Sequence, residues 1–218
     1  MKINAMDFKQ LTIQDFLEQL ASKKPLPACG SASAICAAMG AALAGMTAKL
    51  TLGKKESENR REELEKIVSI CRDLMERLMN LSEKDAAAYK MVLDAMQLAK
   101  NTPEEKQIRS RALGKAYKEA AAVPLSILEA AEDLMEISIL AVKEGKSDIV
   151  ADAAAGSYLA WAAAGISAMN IRFNISGIRD ESFISKVMSA TELTLERIQA
   201  ISKEAEASVN KFLEHRET

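Results

Sequence analysis

Between residues 71 and 96 the chain repeats an apolar side chain every three or four positions: Cys71, Leu74, Leu78, Leu81, Ala88, Val92 and Ala95. That period belongs to one face of a long helix packed against neighbours, and it commits the centre of the chain to helical packing. One member of the stripe breaks the pattern. Asp85 stands between Leu81 and Ala88, followed by Ala86, Ala87 and Tyr89. A carboxylate pressed against apolar surface loses hydration, so its proton affinity should rise. Such a group suits general acid–base work near neutral pH. A structural aspartate paired with a cation or a helix terminus would fit the same position, and spacing does not choose between the two.

The remaining composition points the same way. Aromatics make up 4% of the 218 residues and the four prolines are widely spaced, a mix that favours helices throughout. The length suits one domain, residues 1–218, with a sizeable core. A formal charge of −2 argues against general affinity for nucleic acid or membrane surfaces. The N-terminus MKINAMDFKQ lacks the apolar core of a signal peptide, so a cytoplasmic location is expected. Cys29, Cys36 and Cys71 form no CxxC pair and no even set, and read as reduced, buried thiols.

Exclusions narrow the chemistry. The only histidine is His215, four residues from the end. Triads needing an ordered histidine, HExxH or Cys/His zinc sites and ExxH di-iron sites are therefore not expected. Neither a GxxxxGK[ST] loop nor a GxGxxG loop occurs. Chemistry must run on carboxylates, Lys, Tyr, Cys or Asn, without a metal.

Start and stop signals divide the chain into six or seven helices and no strand. Thr12 caps a helix to about Ser22, and Ser31 is placed to cap a second over Ala32–Leu52. That segment is rich in Ala, with Gly40 and Gly45 allowing close packing. It and Ala153–Ile171 are weighed as membrane spans and set aside, because alanine is weakly apolar and polar residues interrupt both. A long helix over about Asn59–Lys100 carries the Asp85 stripe. Thr102, Pro103 and Glu105 form a capping box for a helix towards Glu144, which Pro124 should kink or split. Asp148 opens another helix to about Asn174, and Asp180 opens the last, to about Leu213. The fold class is an all-α bundle with several long, antiparallel helices.

A second polar cluster lies on the fifth of these helices. Asp152, Asn170 and Asn174 share a face with Ala155, Leu159, Ala163 and Ile166. Asp152 in a first helical turn can also be an ordinary dipole partner. Among the basic groups, Lys54 and Lys55 follow Gly53 at a helix end, where an anionic ligand could sit. Arg109 and Arg111 read as a solvated face or helix-end partners.

Taken together these residues resemble the cyclodeaminase domain of formiminotransferase-cyclodeaminase and the related methenyltetrahydrofolate cyclohydrolases. The resemblance is carried by Asp85-Ala-Ala-Ala-Tyr89, by Asp94 to Lys106, by Met46 to Lys55, by Val123-Pro124-Leu125 and by Asn170-Ile-Arg-Phe-Asn174. It implies an all-helical homodimer that takes a tetrahydrofolate derivative as substrate and holds no tightly bound cofactor. It implies that Asp85 is the acid–base aspartate, and that Asp152, Asn170, Asn174 and Arg109 match further site positions. Lys54, Lys55 and Arg109 would meet the glutamate tail of the folate. Pro27-Ala28-Cys29-Gly30-Ser31 stands where the family has Pro-Gly-Gly-Gly-Ser. Gly30 and Ser31 are thus kept beside the ligand, while two glycines that allow close backbone approach are replaced. Lys146 and Ala151 likewise replace an Asn and a Ser.

Two reactions meet at 5,10-methenyl-tetrahydrofolate. Formimino-tetrahydrofolate cyclodeaminase closes the ring and releases ammonia; the cyclohydrolase adds water and opens it to the 10-formyl compound. The first is the expected function and the second the alternative; the residues do not separate them, because both reactions share the intermediate and the acid–base group. A non-catalytic folate binder and an unrelated helical bundle are the other readings.

Overall fold

The computed structural model describes residues 7–146 and 148–214, without the side chains of residues 55–57 and 208–214. His215, Ser147 and the Lys55 side chain therefore lie outside the described residues. Six α-helices make up the fold, and no strand occurs among the described residues: α1 Ile13–Leu20, α2 Cys29–Leu52, α3 Arg61–Met96, α4 Pro103–Glu144, α5 Val150–Ile175 and α6 Glu181–Glu214. Short 3-10 turns over Phe8–Gln10 and Lys55–Arg60 precede α1 and α3.

Helix α2 packs between α3 and α5 with one face open, antiparallel to both. Against α3, Ser31 near its start meets Ser82 and Gly45 near its end meets Cys71. Against α5, Ser33 donates to the Ala163 carbonyl, Gly40 lies on Gly156, and Thr47 donates to the Ile149 carbonyl. Two glycines make the α2–α5 crossing possible. A Cβ on Gly40 would come to 3.0 Å from the Gly156 carbonyl oxygen, and one on Gly156 to 2.8 Å from Ser138 Oγ. Helix α4 packs on α2, α3, α5 and α6. The core joins Leu64, Ile67 and Leu78 of α3 to Ile127, Leu128 and Leu134 of α4, Ile171 of α5 and Ile198 of α6, all fully buried. Each such side chain contributes about 1.5–3 kcal/mol relative to exposure.

Several local expectations are met. Asp15 N–H donates to Thr12 Oγ1, the capping box of Thr102 and Glu105 is complete, and Phe183 N–H donates to Asp180. Three others are corrected. Helix α2 begins at Cys29, so Ser31 lies inside its first turn and turns its hydroxyl to α3 instead of capping. Helix α5 begins at Val150 behind Ile149, beyond Asp148. Pro124 neither splits nor ends α4, which is one helix of 42 residues.

Helix α2 is long and apolar enough to cross a membrane, yet 56% of its most apolar window is buried inside the protein. No charged residue falls between Lys24 and Lys49, nor between Asp152 and Arg172. These two charge-free stretches lie side by side, and their helices leave Met39, Met46 and Leu50 of α2 and Tyr158, Trp161 and Met169 of α5 exposed.

Candidate active site

Five of the residues singled out from the sequence converge at the start of α2. Asp85, on the inner face of α3, is 6% exposed and abuts the backbone of Gly30. A Cβ at position 30 would fall inside the Asp85 carboxyl group, so any other residue there would displace the acid. The residue before α2 is Ala28, which has no side-chain oxygen to cap the helix. Asp85 supplies that acceptor from α3, taking the backbone N–H of Ser31. Both sequence-level roles for this aspartate, helix-terminus partner and group with raised proton affinity, thus meet in one carboxyl.

Burial is the largest influence on Asp85 and pushes its pKa above the ordinary carboxylate value. The Ser31 backbone N–H and the Asn170 amide favour the charged form and pull the other way, as does the Ser31 hydroxyl when it donates. That hydroxyl lies 3.0 Å from Asp85 Oδ2 and 3.0 Å from the Ser82 carbonyl oxygen. One proton cannot serve two acceptors fully. If Asp85 is protonated on Oδ2, both contacts are satisfied, with the acid donating to Ser31 and Ser31 donating to Ser82.

The other carboxyl oxygen faces α5. Asn170 Nδ2 is 3.5 Å from Asp85 Oδ1, and Asn174 Nδ2 reaches both Asn170 Oδ1 at 3.1 Å and the Ala120 carbonyl at 2.7 Å. A backbone carbonyl can only accept, so Asn174 must turn its nitrogen towards it. Asn170 then offers its oxygen to Asn174 and its nitrogen to Asp85.

Cys29 sits at the mouth of this cluster, exposed, where a buried thiol was expected. Partial burial, then the charge of Asp85, pushes its thiol pKa up. Cys36 is half-buried, and Cys71 is buried with its pKa pushed up to about 11.

One helical turn beyond the Asn174–Ala120 bond, Gly177 and Tyr117 open into a cleft of about 800 Å³ between α4 and the α5–α6 loop. Lys100, Lys106, Arg109, Arg111, Lys115, Lys118 and Arg179 line it against one acid, Asp180, which pairs with Lys118. Arg109 donates to the Met96 carbonyl at 3.2 Å and is steered into the cleft. Its neighbours are visible in the sequence as basic residues two to four apart from Lys106 to Lys118; Arg179 and Lys100 reach the same cleft only through the fold.

Lys54, Lys55 and Asp152 are elsewhere. Lys54 follows the C-terminal end of α2, roughly 36 Å along the helix from Gly30, and Lys55 starts the adjoining 3-10 turn. Asp152, in the first turn of α5, is roughly 27 Å from Asn170. Within one chain these three do not join Asp85. Among the described residues no three His, Cys, Asp or Glu side chains gather as a metal site would need.

The formiminotransferase-cyclodeaminase family model matches residues 12–193. This chain belongs to that family. Among family members, the methenyltetrahydrofolate cyclohydrolase of Methylorubrum extorquens is 31% identical over 192 residues, covering 88% of this chain and 92% of that one. The formimidoyltransferase-cyclodeaminase of Sus scrofa is 28% identical over 215 residues; the match covers 94% of this chain but 37% of the longer protein. A crystal structure of formiminotetrahydrofolate cyclodeaminase from Thermotoga maritima superposes with a TM-score of 0.84 at 25% identity, covering 94% of this chain and 98% of that one. The all-α bundle described above is therefore the family fold.

Proposed function

We propose that this member of the family is a formimino-tetrahydrofolate cyclodeaminase with Asp85 as its general acid–base group. The observation that carries this reading is the Ser31 hydroxyl, whose contacts with Ser82 and Asp85 are both satisfied only when Asp85 holds a proton and donates it to Ser31. In cyclodeamination N10 attacks the formimino carbon and loses its proton, and the former imine nitrogen must gain protons to leave as ammonia. A protonated, buried carboxyl is suited to supply one of them, and its resulting carboxylate to take up the N10 proton. Asn170 and Asn174 would orient the pterin beside the acid, with Gly30 allowing close approach.

A second reading, methenyl-tetrahydrofolate cyclohydrolase, is favoured by the relative from Methylorubrum extorquens, of which the match covers nearly the whole length. Its first step removes a proton from attacking water and calls on the carboxylate form. Absorbance of the methenyl chromophore separates the two. A rising signal with ammonia release from 5-formimino-tetrahydrofolate supports the deaminase; loss of signal from the methenyl compound faster than the spontaneous rate supports the hydrolase. Silence in both assays, with retained folate binding, would leave a non-catalytic binder.

The basic cleft is the place for the glutamate tail, with Arg109 among its contacts. The homodimer implied by the family is read here as a second copy laid on the open faces of α2 and α5. Between Lys24 and Lys49 and between Asp152 and Arg172 those faces carry no charge, and they alternate Met39, Met46 and Trp161 with Ala42, Ala162 and Gly165, so large side chains meet small ones. An antiparallel copy would carry the end of α2 bearing Lys54 and Lys55, and the start of α5 bearing Asp152, towards Asp85. Asp85→Asn and Lys54→Glu chains, each inactive alone, should then regain activity when mixed. No regain in mixed dimers removes Lys54 from the site.

A further inference from the structure

Pro124 lies in the interior of α4, which runs through it unbroken from Pro103 to Glu144. Proline has no amide hydrogen, so the carbonyl four residues earlier loses its helical donor, and the ring crowds that same carbonyl. The carbonyl belongs to Ala120, which is 4% exposed, and a buried carbonyl without a donor is costly. Its donor comes from another helix. Asn174 Nδ2 on α5 lies 2.7 Å away.

We infer that Pro124 is a positioning residue for Asp85: by withholding its own N–H it reserves the Ala120 carbonyl for Asn174, which fixes the amide that Asn170 presents to the acid. Each link is directional. The carbonyl accepts one hydrogen of Asn174 Nδ2, and Asn170 Oδ1 accepts from the same nitrogen at 3.1 Å. Asn170 is left with its nitrogen towards Asp85 Oδ1. With alanine at position 124, a backbone N–H returns to compete for the Ala120 carbonyl. Asn174 is then released to turn over, and Asn170 can present its oxygen to the acid instead. The role at Asp85 rests on the proposed acid–base reading; the link from Pro124 to Asn174 does not.

Pro124→Ala, Asn174→Ala and the double variant in the full chain test both parts. Asn174→Ala should lower the melting temperature of the parent by several degrees, because Ala120 loses its donor. In the Pro124→Ala background the same change should lower it by less than half as much, since the restored N–H takes the carbonyl. Equal losses in the two backgrounds would overturn the inference, whatever reaction the chain performs. In the turnover assay Pro124→Ala should keep its fold and lose about tenfold in kcat with KM changed less than twofold. Full kcat in an otherwise active chain would overturn the link to Asp85. Absence of turnover in the parent speaks against the proposed reaction, while the thermal comparison still decides the link to Asn174.

Discussion

Replacing Asp85 with asparagine separates the acid's chemistry from its packing. Asparagine keeps the shape and can donate to Ser31 as the protonated acid does, but it cannot release a proton. Turnover should fall by about 10²–10⁴. Stability should move the other way. Burial raises the folded-state pKa of Asp85 above its unfolded value. Its contribution is therefore full below the ordinary carboxylate range and is lost as pH climbs through the raised value. At pH 7 the Asp85→Asn protein should melt about 3 °C higher than the parent, with the gap closing as pH falls towards 4. Equal melting at both pH values would contradict a buried, destabilised carboxylate. Cys29 offers a second readout. Its raised pKa should make alkylation by iodoacetamide slow at neutral pH and faster as pH rises, and above the pH at which Asp85 ionises the Asp85→Asn protein should react faster than the parent. An unchanged rate in Asp85→Asn would show that the two groups do not sense each other. Asp85 was legible in the sequence because it violates a period. Ser31 was read as a cap because its helix-start position is local information, whereas its partners lie 51 and 54 residues away.

Helices α2 and α5 owe their contact to what they lack. Gly156→Ala would press a methyl group towards Ser138 Oγ and the Gly40 carbonyl, and should cost about 1–3 kcal/mol in urea unfolding. No measurable loss would mean the crossing has slack. Gly114, with open space around it, should accept the same change freely. The sequence marked both helices as rich in small residues, but not which glycines meet. The expected split at Pro124 is absent for a related reason. The helix survives because its lost hydrogen bond is replaced by Asn174, 50 residues on, and no window centred on the proline contains that residue.

Across the whole molecule, the residues matched to one site divide between its two ends. Helix type and face were readable from spacing; which helix ends meet was not, because it depends on every connection between them. Gly30, Asp85 and Asn170 converge only since α2 runs antiparallel to both α3 and α5. The basic cleft follows from the same topology. If it holds an anionic tail, KM should rise with ionic strength while kcat stays constant, and Arg109→Ala should raise KM several-fold. A salt-independent KM would place the tail elsewhere.

The length of α4 has a mechanical consequence. Its buried residues begin only at Ala116, so the first 13 residues form a cantilever braced by the end of α3 and free of the main core. Amide hydrogens should therefore exchange in a gradient along one continuous rod, fast near Pro103 and slowest beyond Ile127. Arg109, at the compliant end, would follow a bound anion while Asp85, buried on α3, stays still.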